Sequence, residues 1–234
     1  MAGKCGPDII ENGLVLALDA ANKNSYPGSG TSWKDLSGNG NNGTLTNGPT
    51  FNVSNQGSIT FDGTNDYIDI ADSTSLNPTI LSIESWFKIT AFSSNQNIIN
   101  KGYTFVSEPY ISYTLKMDGV SSPYNTIAIE ASVGGVRKAL TSTTTLSANI
   151  WYNVVSTYDG STFKLYINSI QESNTLSSTG TISSYNTPLQ IGRWGTQGSQ
   201  YFNGNIAIAK IYNRALTATE ILQNYNATKS RFGY

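Results

Sequence analysis

The sequence predicts an all-β domain, a two-sheet antiparallel sandwich or a barrel, closed by one short C-terminal helix. Three observations predict it. Apolar residues recur with period two along most of the chain, clusters of Gly, Asn and Ser separate the segments that show this, and a single capping box stands near the end. The 234 residues carry no repeat, linker or composition shift, so they read as one domain over 12–229, with an arm at 1–11 and a tail at 230–234. That length is enough to bury a large core.

Strands are predicted at 13–19, 43–45, 58–62, 66–71, 80–89, 96–101, 111–117, 125–132, 150–158, 162–168, 188–193 and 205–212. In ILSIESWFKI (80–89), Leu81, Ile83, Phe87 and Ile89 take one face, and Ser82, Glu84, Trp86 and Lys88 the other. Glu84 is expected to pair with Lys88 or another cation on its own face. In ISYTLKM (111–117), Ile111, Tyr113, Leu115 and Met117 oppose Ser112, Thr114 and Lys116; in TFKLYIN (162–168), Phe163, Leu165 and Ile167 oppose Lys164, Tyr166 and Asn168. Asp159-Gly160, between WYNVVSTY and TFKLYI, marks a hairpin. Near the end, Thr217-Ala218-Thr219-Glu220 is a capping box, Leu216 and Ile221 sit where a hydrophobic staple forms, and Ile221, Leu222 and Tyr225 make one apolar face. These predict a helix over 217–228.

Composition removes several function classes. The net charge is −1 and 12% of residues are charged, against about 25% in an average domain. No basic face for nucleic acid is expected, and no strong electrostatic steering. No apolar run reaches 18 residues, so no transmembrane helix and no membrane partner are expected; the start, MAGKCGPDIIENG, lacks the apolar core of a signal peptide. Cys5 is the sole cysteine, which rules out an intrachain disulfide, and the lack of histidine removes Ser-His-Asp and Cys-His centres and His-ligated zinc.

The blocks GLVLALDAANKNSYPGSGTSWKDLSGNGNNGTLTNGPTF, GSITFDGTNDYIDI, LSIESWFKI, WYNVVSTYDGSTFKLYIN and NGNIAIAKIYNRALTATEILQNYNATKSRFG follow one another in this order. Together, over about residues 12–233, they resemble the laminin-G-like jelly rolls of the concanavalin A-like lectin/glucanase group. The resemblance implies a concanavalin A-like jelly-roll sandwich of two antiparallel sheets with one short C-terminal helix. It leaves function open, since that fold hosts lectins, carbohydrate-binding modules, glycosidases and structural modules. A narrower likeness, carried by SYPGSGTSWKDLSGNGNNGTL and IYNRALTATEILQNYNATKSRFG, is to structural proteins of tailed bacteriophages. It implies a virion decoration or tail-associated protein, assembled in the host cytoplasm and exposed after lysis. Neighbouring virion subunits, further copies of the chain and host-surface glycans are its expected partners. The alternative is a free-standing carbohydrate-binding lectin module.

Candidate sites follow from residue chemistry. The glycosidase branch of the fold carries a Glu-x-Asp-x-x-Glu strand, and none of the fifteen acidic residues here makes that pattern, so no enzyme is expected. In WKDLSGNGNNGTL, residues 37–43 hold three Gly and three Asn. The run reads chiefly as consecutive tight turns, and alternatively as a calcium site built on Asp35, Asn39 and Asn41, with Asp66 of FDGTNDY as a further oxygen ligand. A sugar site needs an aromatic platform beside planar polar groups. Trp194 and Tyr201, in a Gly- and Gln-rich loop, are the leading candidates; Trp33 is read either as a contact or as core, whereas Trp86 and Trp151 are expected to be packed. Ile9 and Ile10 form an apolar pair in the arm and are expected to dock on a neighbouring subunit, with the RFGY tail as a second contact.

Overall fold

The computed structural model describes residues 8–102, 111–118, 124–195 and 200–234. In chain order the strands are β1 (Leu14–Asp19), β2 (Ser32–Trp33), β3 (Gly43–Thr46), β4 (Thr50–Asn52), β5 (Ser58–Asp62) and β6 (Tyr67–Ile70). Then come β7 (Leu81–Ile89), β8 (Asn97–Gly102), β9 (Ile111–Met117), β10 (Ile127–Val133) and β11 (Val136–Thr141). The series ends with β12 (Trp151–Tyr158), β13 (Thr162–Ile167), β14 (Ile170–Ser177), β15 (Leu189–Ile191) and β16 (Asn203–Tyr212), before helix α1 (Ala218–Thr228). Among the described residues they form two antiparallel sheets. One runs β14-β13-β12-β7-β16-β5-β4, with β1 also on β16; the other runs β11-β10-β9-β8-β15-β6-β3-β2.

Period-two patterning builds the core where it was read. Tyr113, Leu115 and Met117 of β9 and Ile127, Ile129 and Ala131 of β10 face Ile83, Phe87, Val154, Leu165 and Ile211 of the opposite sheet in one continuous cluster. Close approach sets one position: a Cβ on Gly204 of β16 would lie 2.1 Å from the Lys88 carbonyl oxygen of β7. The Asp159-Gly160 hairpin forms between β12 and β13, with Asp159 Oδ1 accepting from the Ser161 and Thr162 backbone N–H groups.

Four strands lie outside the sequence expectation: β2, β4, β11 and β14. β2, β4 and β14 close sheet edges, and so does β11, whose residues VRKALT are largely exposed. An edge strand buries too little to show alternation.

β7 departs from the pattern more instructively. Its second face is as buried as its first, because a further layer covers it: Ser82, Glu84 and Trp86 are all fully buried. The layer is α1 and the residues after it. Thr217 caps the helix, accepting from the Glu220 N–H at 3.3 Å while Glu220 Oε2 accepts from the Thr217 N–H at 2.8 Å. Leu216 and Ile221 close the staple against Val155, Tyr166 and Tyr212. The chain then makes a 3-10 turn over Lys229–Phe232. Phe232 stacks on Trp86 with ring centroids 4.0 Å apart, Tyr225 stacks on the same indole at 5.6 Å, and Tyr234 donates to the Trp151 carbonyl at 2.6 Å. Trp86 and Trp151 are packed, as expected.

Glu84 pairs not with Lys88 but, as the alternative had it, with another cation on its own sheet face. Lys210 faces it across the β7–β16 ladder, at 3.3 Å, and Asn153 and Asn224 donate to its remaining acceptor sites. The sequence pattern places Lys88 on the right face, but only sheet pairing brings Lys210 opposite.

Residues 8–11, the described part of the arm, are tied down within their own chain. Ile10 N–H donates to Asn224 Oδ1 at 2.8 Å, its carbonyl accepts from Tyr212 Oη at 3.1 Å, and its side chain packs on the cluster holding Leu216 and Ile221. Ile9 is half-buried beside Leu14, Leu36 and Ile208 in a cleft of about 350 Å³. Ile10 therefore helps to close its own domain, and Ile9 lines the cleft at the surface. Cys5 lies outside the described residues.

Candidate carbohydrate-binding face

The side of the second sheet that turns away from the core is polar from edge to edge. Alternation puts Ser112, Thr114 and Lys116 of β9 and Glu130 and Ser132 of β10 there, opposite the apolar residues that face inward. Strand register then aligns one residue from each strand. Ser32, Thr44, Asp69, Gln190, Asn100, Thr114, Glu130 and Ala139 are successive partners across β2, β3, β6, β15, β8, β9, β10 and β11. The result is a transverse row across the sheet in which seven of the eight side chains are polar, the exception being Ala139 at the β11 edge.

Its two halves differ. Around β9 and β10 the groups are buried and paired: Lys116 Nζ lies 2.9 Å from Glu130 and Arg137 grips the same carboxylate through Nε and Nη2 at 3.1 and 2.6 Å. Thr114 Oγ1 donates to Asn97 Oδ1 at 3.0 Å, and the Gly195 N–H donates to Asn100 Oδ1 at 2.9 Å. Around β6 and β3 the face opens to solvent, with Tyr67, Asp69 and Thr46 half-buried and Thr44 exposed. Gln190 Nε2 donates to Asp69 Oδ1 at 3.0 Å, at the boundary between the halves. Among the described residues Gln190 Oε1 and Asn100 Nδ2 are buried with no hydrogen-bond partner, and such groups are costly to leave unmatched. A hydroxyl-rich ligand offers donors and acceptors in the spacing that planar amides accept.

The predicted sugar aromatics take three different places. Trp33 is fully buried in the core, so it is not a contact. Trp194 does lie on this face, yet only 8% of it is exposed, and Lys116 Nζ sits 5.7 Å from its ring. It roofs the Lys116–Glu130 pair instead of standing out as a platform. Tyr201 is half-buried at the far side of the same loop, which the Phe202 N–H closes on the Gly192 carbonyl at 2.8 Å. The aromatic that accompanies the open polar row is Tyr67. Sequence reading had the strand at 66–71 but no means to know which strands flank it.

The predicted calcium ligands fall into two groups at opposite ends of β6. Asp35, Asn39 and Asn41 come together in the 35–42 turn. Asp35 Oδ1 accepts from the Ala17 and Ser37 N–H groups, and Oδ2 from Ser37 Oγ and the Asn41 N–H, at 2.7–3.0 Å. Asn41 donates to the Val15 carbonyl and to Ser75 Oγ and accepts from Ser73 Oγ, which follows β6; Asn39 Nδ2 donates to the Leu14 carbonyl. Asp66 precedes β6 and accepts from the Asp62 N–H at 3.1 Å; burial pushes its carboxyl upward. The Asp35 turn thus uses its oxygens to sew the loop to β1. Among the described residues no group of three or more His, Cys, Asp or Glu is arranged to hold a metal ion.

Two antiparallel sheets, crossed by edge-to-edge connections and bearing a polar outer face, define a jelly roll of the lectin-like class. The family model for the concanavalin A-like lectin/glucanases superfamily (laminin G, type 3) matches residues 62–222, and the chain belongs to that family. The fold is similar to the binding domain of Paraclostridial Mosquitocidal Protein 1 (TM-score 0.71, 17% identity, covering 93% of this chain and 52% of that one). It is also similar to domain 4 of AbnA, a GH43 extracellular arabinanase from Geobacillus stearothermophilus, in complex with arabinotriose (TM-score 0.70, 15% identity, 91% of this chain, 98% of that one). The receptor-binding domain of botulinum neurotoxin type G matches with a TM-score of 0.66 and 17% identity over 92% of this chain and 51% of that one. The chain spans about half the length of the toxin domains it matches. No curated protein sequence matches it.

Proposed function

We propose that this protein is a non-catalytic carbohydrate-binding module whose ligand lies across the open half of the polar row, over Tyr67, Asp69 and Thr44. The observation that carries this is the row itself: planar amides, a carboxylate, hydroxyls and one aromatic ring on a single sheet face whose β6–β3 half is open to solvent. Support comes from the arabinotriose complex of a similar domain, and from the receptor-binding role of another. The non-catalytic reading rests on the carboxylates of this face. Glu130 is occupied by Lys116 and Arg137, and Asp69 takes the Gln190 amide, so the two do not form the acid–base pair that glycoside cleavage needs. A glycan array tests the reading. Saturable binding that Tyr67→Ala and Asp69→Ala each weaken at least tenfold supports it; an empty array, or hits indifferent to both substitutions, sinks it.

We further propose that the module is carried on a bacteriophage particle and meets glycans on the host surface, on the strength of the two sequence blocks that resemble phage structural proteins. A mass-spectrometric inventory of purified particles checks this, and absence of the protein from any particle would end it.

A further inference from the structure

Four arginines occur in the sequence, at 137, 193, 214 and 231. Three of them hold a carboxylate: Arg137 grips Glu130, Arg214 grips Glu220 and Arg231 grips Asp19. Arg193 does not. Among the described residues it has no ion-pair or hydrogen-bond partner, and its Nε is shut off from solvent with nothing to donate to. The guanidinium lies over the Tyr67 ring, its Cζ 3.7 Å from the ring centroid. The stack holds it at the open end of the polar row, where Tyr67 and Asp69 are two residues apart on one face of β6, about 7 Å.

The backbone fixes this placement. Gly192 sits at φ +88°, and a Cβ there would come within 2.6 Å of the Phe61 ring, so the chain turns out of β15 in a way only glycine permits. Arg193 follows directly. A guanidinium stacked on an aromatic ring can still present its two Nη groups, and that planar end matches a carboxylate in two parallel hydrogen bonds even with Nε buried. The other cations that reach this face, Lys116 and Arg137, are both spent on Glu130, which leaves Arg193 as the group able to take an incoming anion. Asp69, two residues along the same face of β6, adds a negative charge to the site, which disfavours a dianion such as phosphate more than a ligand bearing one negative charge amid hydroxyls.

We infer that the site selects acidic sugars, with Arg193, held on the Tyr67 ring, forking the carboxylate of a uronic or sialic acid while Asp69 and the neighbouring hydroxyls of the row receive its hydroxyls. This rests on the carbohydrate-binding reading above and names its ligand class.

Two matched pairs of probes test it by calorimetric titration: oligogalacturonate against the same oligomer with its carboxyls reduced, and sialyllactose against lactose. The first pair reports uronic acids and the second sialic acids. The wild-type protein is expected to bind at least one acidic probe tenfold or more tighter than its neutral counterpart. Arg193→Gln should bring that probe down to the neutral level, and Arg193→Lys should recover only part, since an ammonium lacks the fork. The Arg193 Nε–H resonance should move when that probe is added to unsubstituted protein, a readout independent of any variant's folding. Neutral binding as tight as acidic binding, no binding of either acidic probe, or a preference that survives Arg193→Gln would overturn the acidic specificity while leaving carbohydrate binding in place. Failure of every glycan, acidic or neutral, on the array would remove the carbohydrate reading itself.

Discussion

Phe232 gives the sharpest test of how the domain is closed. Its ring is 7% exposed, stacks on Trp86 at 4.0 Å and tilts against Trp151 at 4.8 Å. Phe232→Ala removes a buried ring from a small cluster of Trp86, Trp151, Ala207, Ile208 and Tyr225. Buried Phe→Ala changes cost about 3–5 kcal/mol. Because this cluster lies near the chain end, where the 3-10 turn can shift to fill the gap, the lower part of that range, about 3 kcal/mol, is expected. For a domain of this size that lowers Tm by about 6–12 °C. Phe232→Leu keeps most of the apolar volume and loses the stack, worth about 0.5–1.5 kcal/mol. The loss for Leu should therefore be less than half that for Ala. Urea unfolding followed by tryptophan fluorescence measures both, since Trp86 reports the contact directly. A loss below about 1 kcal/mol for Phe232→Ala would mean that the segment after α1 is not docked, and that something other than the tail covers the second face of β7.

Three further outcomes are expected. Glu84→Ala leaves Lys210 buried without its counter-ion and should cost about 3–5 kcal/mol, much of it recovered in Glu84→Leu/Lys210→Met; equal losses in single and double variants would refute the pairing. The fork from Arg214 holds the Glu220 carboxyl down at about 2, so its contribution is complete above the unfolded-state value near 4.3 and fades as pH falls toward 2. Glu220→Gln should flatten the fall of unfolding free energy between about pH 5 and pH 2, and an unchanged slope would discount the fork. Because the Asp35 oxygens already accept four protein donors, calcium added to chelator-treated protein should leave the melting curve unchanged; a concentration-dependent rise in Tm would establish a bound ion.

What the sequence determined by itself is local. Alternation in β9 runs over the same residues, 111–117, in sequence and structure, because one strand's two faces are a property of the strand. The cap at Thr217 and the hairpin at Asp159 are equally local, set by side chains that bond backbone within three residues. The Gly- and Asn-rich run likewise makes tight turns, with Gly38 and Gly40 at positive φ. Tertiary structure decided everything that depends on which segments meet. Glu84 has Lys88 in its own strand, yet its partner is Lys210, 126 positions away and opposite only once β7 and β16 pair. Trp33 and Trp194 stand in polar stretches of the sequence and their burial, by a sheet and a loop, is a long-range matter, whereas the packing of Trp86 within its strand was expected. The polar row exists only as a register across eight strands, and no window of the sequence contains more than a fragment of it. Arg193 stands out because among the described residues it has no carboxylate partner, which becomes visible only when the other described charges have been placed.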